Sequence, residues 1–574
     1  MKRFPCSNVK WIFKENNFEI AKKLSMETNI HPVIAAIFAN RGIKSSEDVH
    51  NFLSPSLSNL HSPDFLPDIQ KAIIRIKKAI SKKELIRIYG DYDADGITAS
   101  AVLVRVLRAF GGNVDYRLPH RYNGGYGLNV NAVNDAAADR VRVIITCDCG
   151  ISAFDSARRA QELGIDLIIT DHHEPSDILP CAYSIINPKR HDSKYPFREL
   201  SGVGVALKLC QALSEDMGVK RELFLDKFLD LVSIGTVVDV VPLVDENRII
   251  AYHGLKSIPQ SKKIGLKTLL KITQLDEKPL TTFDLGFVLG PRINAVGRMG
   301  DATQALELFL TKDENIAYDI VGNMNEHNID RRTEQERILK EALEQVRLKN
   351  LDQNPVLVIS NEGWSAGVLG IVAGKITESF YRPSILIGKD SNTGLATGSA
   401  RSVHYCNIME ALESCDDLLI KYGGHCSAAG LTIPIENLDK FEEAINNWGM
   451  INISKDDMLP KIEIDAKISI DDINRKLVDT LEMMEPFGCG NEEPIFASFD
   501  VKVANINTVG NDQHCRLTLN SNNNQFICMA WRMPELVSHI SNGDNINICY
   551  TLGINRFNGN EYIQMTAKSI ELNN

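Results

Sequence analysis

The chain contains the run Tyr-Gly-Asp-Tyr-Asp-Ala-Asp-Gly at residues 89–96, directly after the apolar segment 85–88. Two more runs follow apolar segments in the same way, Thr-Cys-Asp-Cys-Gly at 146–150 and Thr-Asp-His-His-Glu at 170–174. Each apolar segment has the length and composition of a short buried strand, and a helical pattern follows each run. This alternation predicts a parallel sheet, in which reactive groups collect where the loops leave the carboxyl ends of the strands.

Such a sheet would bring seven side chains to one edge: Asp91, Asp93, Asp95, Asp148, Asp171, His172 and His173. In an extended chain Asp93 and Asp95 would point to the same side, whereas the adjacent His172 and His173 would point to opposite sides. Several carboxylates with imidazole, and no obligatory thiolate, suit two Mg²⁺ or Mn²⁺ ions acting on a phosphate. A single Asp is more often a turn or cap residue, and Asp91 fits that interpretation, but three such runs favour metal binding.

Two later stretches add to this site. Asp239 lies in the apolar run Ser-Ile-Gly-Thr-Val-Val-Asp-Val-Val-Pro-Leu at 233–243. An isolated Asp there would be unfavourable to bury without compensation, so we expect a cation beside it. The run Ser-Gly-Val-Gly-Val-Ala at 201–206 predicts a helix entry, which is either a phosphate site or a tight turn that allows close packing.

These motifs resemble the DHH phosphoesterase family, through Asp-Tyr-Asp-Ala-Asp-Gly and Asp-His-His, and nearly all of the chain resembles its RecJ branch. The resemblance implies catalytic roles for Asp93, Asp95, Asp148, His172, His173 and Asp239, with all of these except His173 as ligands of two Mn²⁺ or Mg²⁺ ions. The family element Pro-x-Arg…Gly-Tyr-Gly-Leu is matched at 119–121 and 126–128. One departure is Trp-Ser-Ala-Gly at 364–367 in place of the usual Trp-His-x-Gly, so a histidine contact at Ser365 is absent.

Candidate nucleic-acid ligands occur in three more runs. Gly-Pro-Arg-Ile-Asn-Ala-Val-Gly-Arg at 290–298 offers guanidinium groups that match phosphate oxygens. Gly-Ser-Ala-Arg-Ser at 398–402 and Tyr-Gly-Gly-His at 422–425 look like the DHH-associated domain, which grips the terminal nucleotide. The residues that the resemblance assigns to phosphate or DNA are Arg292, Asn294, Arg298, Ser399, Arg401, Gly423, Gly424 and His425.

We therefore expect an α/β, two-lobed DHH phosphoesterase fold, with a parallel-sheet catalytic lobe, a DHH-associated α/β lobe, a long connecting helix and a C-terminal OB-like β-barrel. A period of two at 462–470, followed by further strands, predicts the barrel. Its mixture of basic and aromatic residues suits stacking of a single strand: Arg516, Trp531, Arg532, Arg556 and Phe557. The expected domains are an N-terminal helical leader packed on the catalytic lobe at 1–80, the DHH catalytic domain at 81–310, the connecting helix at 311–350, the DHH-associated domain at 351–455 and the OB-fold domain at 456–574.

Composition limits the class of protein. A length of 574 residues with 44% hydrophobic residues predicts several domains with ordinary cores. No apolar run reaches membrane-spanning length and the start lacks the apolar core of a signal peptide, so we expect a cytoplasmic protein. The 12 cysteines include no Cys-x-x-Cys pair, which favours free thiols. The net charge of −11 argues against a broadly basic surface but not against a local basic groove.

The resemblance implies a metal-dependent exonuclease that hydrolyses single-stranded DNA from the 5′ end to mononucleotides, in DNA repair and recombination. One alternative is a DHH phosphoesterase of small substrates, such as oligonucleotides or cyclic dinucleotides, which would need neither the barrel nor the arginine-bearing run. The other is an inactive DNA-binding replication scaffold, which would not need every expected metal ligand. Whether a single-strand-binding protein or a helicase docks on the chain stays open, and no membrane partner is expected.

Overall fold

The computed structural model describes residues 9–15, 17–119, 127–522, 524–557 and 559–573. The chain divides into two compact units. We call Ser54–Asp330 with Glu485–Glu492 the acidic unit, and the residues up to Leu53 with Arg331–Met484 and Glu493–Asn574 the barrel unit. Within the described ranges, none of the helices combines the length and the apolar character needed to cross a membrane.

The strands, in chain order, are β1 (Lys10–Phe13), β2 (Leu85–Gly90), β3 (Asn113–Arg117), β4 (Val143–Cys147), β5 (Asp166–Thr170), β6 (Ser184–Ile186), β7 (Leu357–Glu362), β8 (Ser384–Asp390), β9 (Leu395–Arg401), β10 (Lys421–His425), β11 (Ala428–Pro434), β12 (Lys461–Ile464), β13 (Ala466–Lys467), β14 (Phe496–Val509), β15 (His514–Asn520), β16 (Gln525–Ala530), β17 (Asn545–Phe557) and β18 (Asn560–Leu572).

The helices, in the same order, are α1 (Phe18–Thr28), α2 (Pro32–Asn40), α3 (Ser46–Leu53), α4 (Ile69–Lys82), α5 (Ala94–Ala109), α6 (Val130–Ala138), α7 (Phe154–Glu162), α8 (Gly202–Asp216), α9 (Arg221–Val238), α10 (Asp245–Ser257), α11 (Ile264–Ile272), α12 (Gly290–Met299), α13 (Thr303–Leu310), α14 (Glu314–Lys349), α15 (Ala366–Phe380), α16 (Ile408–Glu413), α17 (Leu438–Asn452) and α18 (Arg475–Met483). A π-helical turn, Asp284–Leu289, leads directly into α12.

The acidic unit contains a five-stranded sheet in the order β3-β2-β4-β5-β6, and all of its strands are parallel. The apolar segments noted in the sequence form β2, β4 and β5, so the predicted parallel sheet is confirmed. Strand β4 is buried along its whole length, as expected of a strand covered on both faces. The carboxyl ends of these three neighbouring strands therefore lie side by side.

Helix α5 follows β2 and lies in the core of the acidic unit. Its residues from Ala94 to Val104 are all buried, because small and apolar residues occupy its whole circumference. It packs on α8 and α9. Ser201 caps α8, since its hydroxyl accepts a hydrogen bond from Gly204 N at 3.1 Å. The first turns of α5 and α8 thus meet beside the carboxyl edge of the sheet.

The barrel unit contains a mixed sheet and a closed barrel. The mixed sheet has the order β10-β11-β9-β8-β7, with β7 and β8 parallel and the other pairs antiparallel. Strands β14, β15, β16, β18 and β17 close into a five-stranded barrel through the β14–β17 pairing. The OB-like barrel predicted from the sequence is therefore confirmed.

The alternating residues 462–470 form two short strands instead of one long one. Strand β12 pairs in parallel with β1, whereas β13 pairs in parallel with β14. Between them, Asp465 turns a buried carboxylate inward, where it accepts a hydrogen bond from Ile495 N at 2.9 Å and lies 3.1 Å from Lys14 Nζ. This carboxylate interrupts the ladder that the period of two predicts.

The structure divides the leader expected at 1–80. Residues from Ser54 onward belong to the acidic unit, whereas the described residues up to Leu53 belong to the barrel unit. The reason is that β1 pairs with β12, and Trp11 Nε1 donates to Ser569 Oγ at 3.2 Å. Helix α14 is the connecting helix of the sequence analysis and continues from one unit into the other.

A fully buried ion pair joins α8, α10 and the segment before α4. Lys208 Nζ donates to Glu246 Oε1 and to the carbonyl oxygen of His61, and both charged residues are 0% exposed. Glu246 also accepts hydrogen bonds from His61 N at 2.8 Å and from the Tyr195 hydroxyl. The network holds α8, whose first turn contributes to the edge of the sheet.

We expect Glu246→Ala to destabilise the acidic unit by about 3–5 kcal/mol, because it leaves Lys208 charged and buried without its partner. Urea denaturation followed by circular dichroism measures the loss. Arg158→Ala is the matched control, since Arg158 and Asp155 are 68% and 80% exposed at the side chain and their pair contributes about 1 kcal/mol or less. Lys208→Met combined with Glu246→Leu should restore part of the stability. A double variant as unstable as Glu246→Ala would contradict this account.

Candidate metal centre

Carboxylates and imidazoles meet at the carboxyl edge of the parallel sheet. We call the following residues the acidic cluster: Asp91, Asp93, Asp95, Asp148, His172, His173 and Asp239. Three overlapping groups within it each bring one ligand atom per residue to within 4.8 Å of the others: Asp91 with Asp93 and Asp148, Asp95 with His172 and Asp239, and Asp148 with His172 and His173. All six catalytic residues of the sequence analysis are among them.

The run after β2 is not extended throughout, unlike the geometry considered from the sequence. Asp93 is the N-cap of α5, and its Oδ1 accepts hydrogen bonds from Asp95 N and Gly96 N, both at 3.1 Å. Capping the helix satisfies backbone donors that would otherwise lack partners. Asp93 therefore precedes the helix, whereas Asp95 lies within its first turn.

Asp95 is buried against the start of α8. Its carboxylate accepts hydrogen bonds from Gly202 N at 2.6 Å and Val203 N at 2.8 Å. Burial and the charge of Asp93 raise the pKa of Asp95 to about 7, although these two amides act in the opposite direction. The helix entry expected at 201–206 therefore binds a carboxylate of the chain itself, which a helix N-terminus favours.

Two glycines allow the helices to approach the cluster. A Cβ atom on Gly202 would lie 2.6 Å from Asp148 Cβ and 2.7 Å from its Oδ1. A Cβ atom on Gly235 would lie 2.9 Å from Asp95 Oδ1 and 2.4 Å from Thr98 Oγ1. Any larger residue would displace a carboxylate, so close packing explains the glycine in the 201–206 run.

Asp148 follows β4 and has a positive φ of 60°, with its N–H donating to Thr170 O at 3.1 Å. Burial and the charges of Asp95 and Asp93 hold the pKa of Asp148 well above its usual range. The flanking Cys147 and Cys149 are fully buried, and burial raises the pKa of both thiols. Buried thiols with a raised pKa stay protonated, and a protonated thiol packs as a small apolar group.

His172 is a neutral imidazole inside the cluster. Its Nε2 lies 3.1 Å from Asp148 Oδ1 and 3.6 Å from Asp239 Oδ2. Burial, together with the charge of His173, lowers the pKa of His172 to about 4. Among the described residues this buried Nε2 has no hydrogen-bond partner. A neutral ring nitrogen that faces two carboxylates has the chemistry of a metal ligand.

His173 is held by Asp171, and the two histidine rings are not on opposite sides as expected for an extended pair. Their centroids are 4.5 Å apart because the chain turns here. Asp171 Oδ1 accepts hydrogen bonds from His173 Nδ1 at 2.8 Å and from His172 N at 2.7 Å. Burial alone would lower the pKa of His173, but the hydrogen bond to Asp171 and its charge raise it.

Asp239 is the C-cap residue of α9 and is the least buried of the three residues in its group with Asp95 and His172. Burial, followed by the charges of Asp95 and Asp93, raises the pKa of Asp239 to about 9. The charge of Lys189 acts in the opposite direction. An Asp in this position therefore lies in an environment that disfavours negative charge unless cations are present.

Three residues of the site were not assigned from the sequence. Asp91, taken for a turn residue, is 2% exposed and belongs to the cluster. Asn187 is fully buried, and its side chain donates to His173 O at 2.9 Å and accepts from Lys189 N at 2.7 Å. Lys189 Nζ lies 3.3 Å from Glu199 Oε2 at the rim. The only indication of Asn187 in the sequence was the run Ile-Asn-Pro at 186–188, because Asn followed by Pro indicates a constrained turn.

The run at 290–298 forms helix α12. Asn294 Oδ1 accepts a hydrogen bond from Ala94 N at 2.7 Å, directly beside the Asp93 cap. Arg292 Nε donates to Asn325 Oδ1 at 2.6 Å, so its guanidinium ties α12 to α14. Arg298 lies on the same helix and is partly buried. Asn294 therefore contacts the segment that carries Asp93 and Asp95 of the acidic cluster.

The other predicted ligands lie together in the barrel unit, on β9 and β10. Ser399 pairs with Gly430 and Arg401 with Ala428 on β11, which places both side chains on one face of β9. Gly423 and His425 of β10 pair with the same two β11 residues. Gly424, between them, has a φ of 156°, and a Cβ atom there would lie 2.3 Å from Ala428 O. The sheet register thus groups the predicted set.

The barrel candidates and one family element have mixed outcomes. Trp531 is 43% exposed, with its ring 4.9 Å from that of His514. Arg556 is paired with Glu482 and Glu561. The side chain of Phe557 and residues 120–126, which hold most of the Pro-x-Arg…Gly-Tyr-Gly-Leu element, lie outside the described residues.

Three family models match the chain: the DHH family N-terminal domain at 85–236, the DHHA1 domain at 353–449 and the RecJ OB domain at 464–569. The chain is 36% identical over 563 residues to the single-stranded-DNA-specific exonuclease RecJ of Bacillus subtilis, covering 98% of this chain and 71% of that protein. It is 30% identical over 575 residues to the protein of the same name from Escherichia coli, covering 96% and 98%.

The fold is similar to the crystal structure of RecJ in complex with Mn²⁺ from Thermus thermophilus. The TM-score is 0.85 at 28% identity, and the match covers 98% of this chain and 80% of that one. The expected DHH phosphoesterase fold with a C-terminal OB-like barrel is confirmed by these matches. Because the identity extends over nearly the whole of both the E. coli protein and this chain, we conclude that the chain belongs to the RecJ family.

Proposed function

We propose that this protein is a metal-dependent exonuclease that degrades single-stranded DNA from the 5′ end to mononucleotides. The observation that carries the proposal is the acidic cluster, which combines buried carboxylates with a neutral imidazole at the edge of the sheet. The B. subtilis and E. coli relatives are named single-stranded-DNA-specific exonucleases. DNA repair and recombination are the processes that need such an activity.

The cluster fits divalent cations. The pKa of Asp148 is raised well above its usual range, by burial and by neighbouring carboxylates, which reports negative charge without compensation. The buried atoms Asp91 Oδ1 and His172 Nε2 have no hydrogen-bond partner among the described residues. Oxygen ligands with one imidazole suit Mn²⁺ or Mg²⁺. The residues proposed to hold two ions are Asp93, Asp95, Asp148, His172 and Asp239, with Asp91 as an additional candidate.

When bound, the two ions supply activation of a water and stabilisation of negative charge on the scissile phosphate. The chain itself orients the ligands: Asp93 caps α5, and the α8 amides fix Asp95. Asp171 orients the ring of His173 through Nδ1, and we assign to His173 a contact with the developing charge on the phosphate. Arg292, Asn294 and Arg298 on α12 are the proposed contacts to the DNA backbone.

In this proposal the barrel unit binds the 5′ end of the DNA strand. Ser399, Arg401, Gly423, Gly424 and His425 bind the terminal nucleotide and its phosphate, which fixes the direction of degradation. The barrel binds the strand further along. In this scheme the functional parts keep the expected boundaries, a catalytic domain at 81–310, a nucleic-acid-binding domain at 351–455 and an OB-fold domain at 456–574.

We propose a cytoplasmic location, because the proposed substrate is the single-stranded DNA of repair and recombination. A single-strand-binding protein and a helicase are the protein partners to test, because such proteins hold or produce the single strand. Pull-down of purified candidates with the full chain, with and without DNA, is the direct measurement.

We expect immediate release of a 5′ label as a mononucleotide from a long single-stranded oligonucleotide with Mn²⁺, whereas a 3′ label should remain on a shortening ladder. Asp93→Asn should lower the rate by more than about 100-fold, because it removes a proposed ligand. Asp226→Asn is the matched control at an exposed position of the acidic unit and should leave the rate unchanged. Cleavage of dinucleotides without attack on long strands would instead support the small-substrate alternative.

We expect Gly202→Ala to weaken Mn²⁺ binding by about 10- to 100-fold, because the added methyl group would displace the Asp148 side chain. Isothermal titration calorimetry on the full chain measures the affinity. Gly322→Ala on α14 is the control, since a Cβ atom there meets nothing within 4 Å. Equal affinities in the two variants would remove Asp148 from the proposed metal site.

We expect Arg401→Ala to raise KM by about 10- to 100-fold for a 5′-phosphorylated oligonucleotide, since a charge-assisted hydrogen bond to the terminal phosphate is lost. The same substitution should change KM little for the oligonucleotide with a 5′-hydroxyl end. Arg401→Lys should recover only part of the affinity, because an ammonium lacks the planar fork of guanidinium. Equal losses on both substrates would assign Arg401 a structural role instead.

A further inference from the structure

Phe283 and Phe287 form an exposed pair of stacked rings on the acidic unit. The ring centroids are 4.8 Å apart, the interplanar angle is 22°, and the residues are 62% and 71% exposed. Leaving two large apolar side chains exposed forgoes the free energy that their burial would contribute, and exposed apolar patches can mark an interaction site. The pair is not among the residues assigned above.

The backbone beneath the pair is firmly held. It belongs to the π-helical turn Asp284–Leu289 and the residue before it, and Leu285 and Leu289 of this turn are fully buried. The Asp284 carboxylate accepts a hydrogen bond from Thr281 N at 2.9 Å. π-Helical turns occur frequently at functional sites, because the extra residue re-aims neighbouring side chains. The two rings are therefore presented to solvent on a fixed support.

This support packs against the end of α9 that belongs to the acidic cluster. A Cβ atom on Gly290 would lie 2.7 Å from Val238 Cγ2, and Val238 directly precedes Asp239. Val240, on the other side of Asp239, is 66% exposed and has a φ of 62°, which is strained for a β-branched residue. The turn that carries the two rings therefore packs against the end of α9 that leads to Asp239, and it continues directly into α12.

From this geometry we propose that Phe283 and Phe287 form a stacking platform for the nucleobases of the single strand held at the acidic cluster. The inference rests on the proposed function and adds a contact of a different kind. The cluster and α12 act on phosphates, whereas flat aromatic rings bind the faces of bases. Every base has such a face, so the platform would bind without regard to sequence.

The size of the patch favours a base over a protein. Two aromatic side chains offer roughly 150–250 Å² each. A stable protein interface buries about 800 Å² on each partner, so a second copy of the chain would need a much larger surface. A base needs no more than the ring area, and its phosphate would lie toward the neighbouring cluster.

The test is steady-state degradation of a 5′-phosphorylated oligonucleotide by the full chain with Mn²⁺. Phe283→Ala combined with Phe287→Ala should raise KM by about 5- to 100-fold, the effect of losing one or more stacked bases, with kcat within about twofold. Phe287→Trp should retain the low KM. Phe65→Ala is the matched control, because Phe65 is 51% exposed in the same unit and should have no effect.

A series of oligonucleotides with one abasic sugar each separates stacking from other roles. At one position the abasic sugar should raise the KM of the unsubstituted protein and have no further effect in the double alanine variant. Effects that multiply at every position would overturn the proposal, and so would a loss of Mn²⁺ binding or an oligomeric state of the double variant that differs from that of the unsubstituted protein. Failure of the unsubstituted protein to degrade any single strand would instead refute the proposed function.

Discussion

Electrostatic repulsion among buried carboxylates is the constraint on which this site depends. Asp95, Asp148 and Asp239 each have a raised pKa, because burial and their neighbours disfavour a second and third negative charge. A fold maintains such an arrangement only if the backbone fixes the carboxylates in place. Here the capped first turn of α5 and the N-terminus of α8 do so, and Gly202 and Gly235 leave room for the carboxylates. Cations that neutralise the charge would then stabilise the folded chain as well as serve the reaction.

Much of the fold could be predicted from the sequence, because buried parallel strands are short and strongly apolar. The runs around Asp93, Asp148 and His172 follow such strands directly, so their convergence was predictable from the rule that carboxyl ends share an edge. The local backbone conformation at the site was harder to predict from the sequence. The cap at Asp93 and the turn that brings His173 beside His172 depend on hydrogen bonds that a residue pattern does not specify.

Pairing between strands that are distant in the chain was the second feature that the sequence did not predict. The alternation around Asp465 is a strong strand pattern, but it cannot show that a buried carboxylate interrupts it or that β1 supplies the partner of β12. For the same reason the leader was not expected to divide between the two units. The role of Asn187 was not predictable because the group to which it donates, the carbonyl oxygen of His173, lies on the loop after β5.

The contact between Asp95 and the first turn of α8 has a consequence for how the site tolerates change. The donors are the main-chain N–H groups of Gly202 and Val203, which every residue except proline possesses. Sequence drift on α8 therefore leaves these donors intact, provided that position 202 remains glycine. To change which ions the site binds, an engineer should therefore substitute the carboxylates or the imidazole. The hydrogen bonds that position Asp95 come from peptide groups, which side-chain substitutions do not remove.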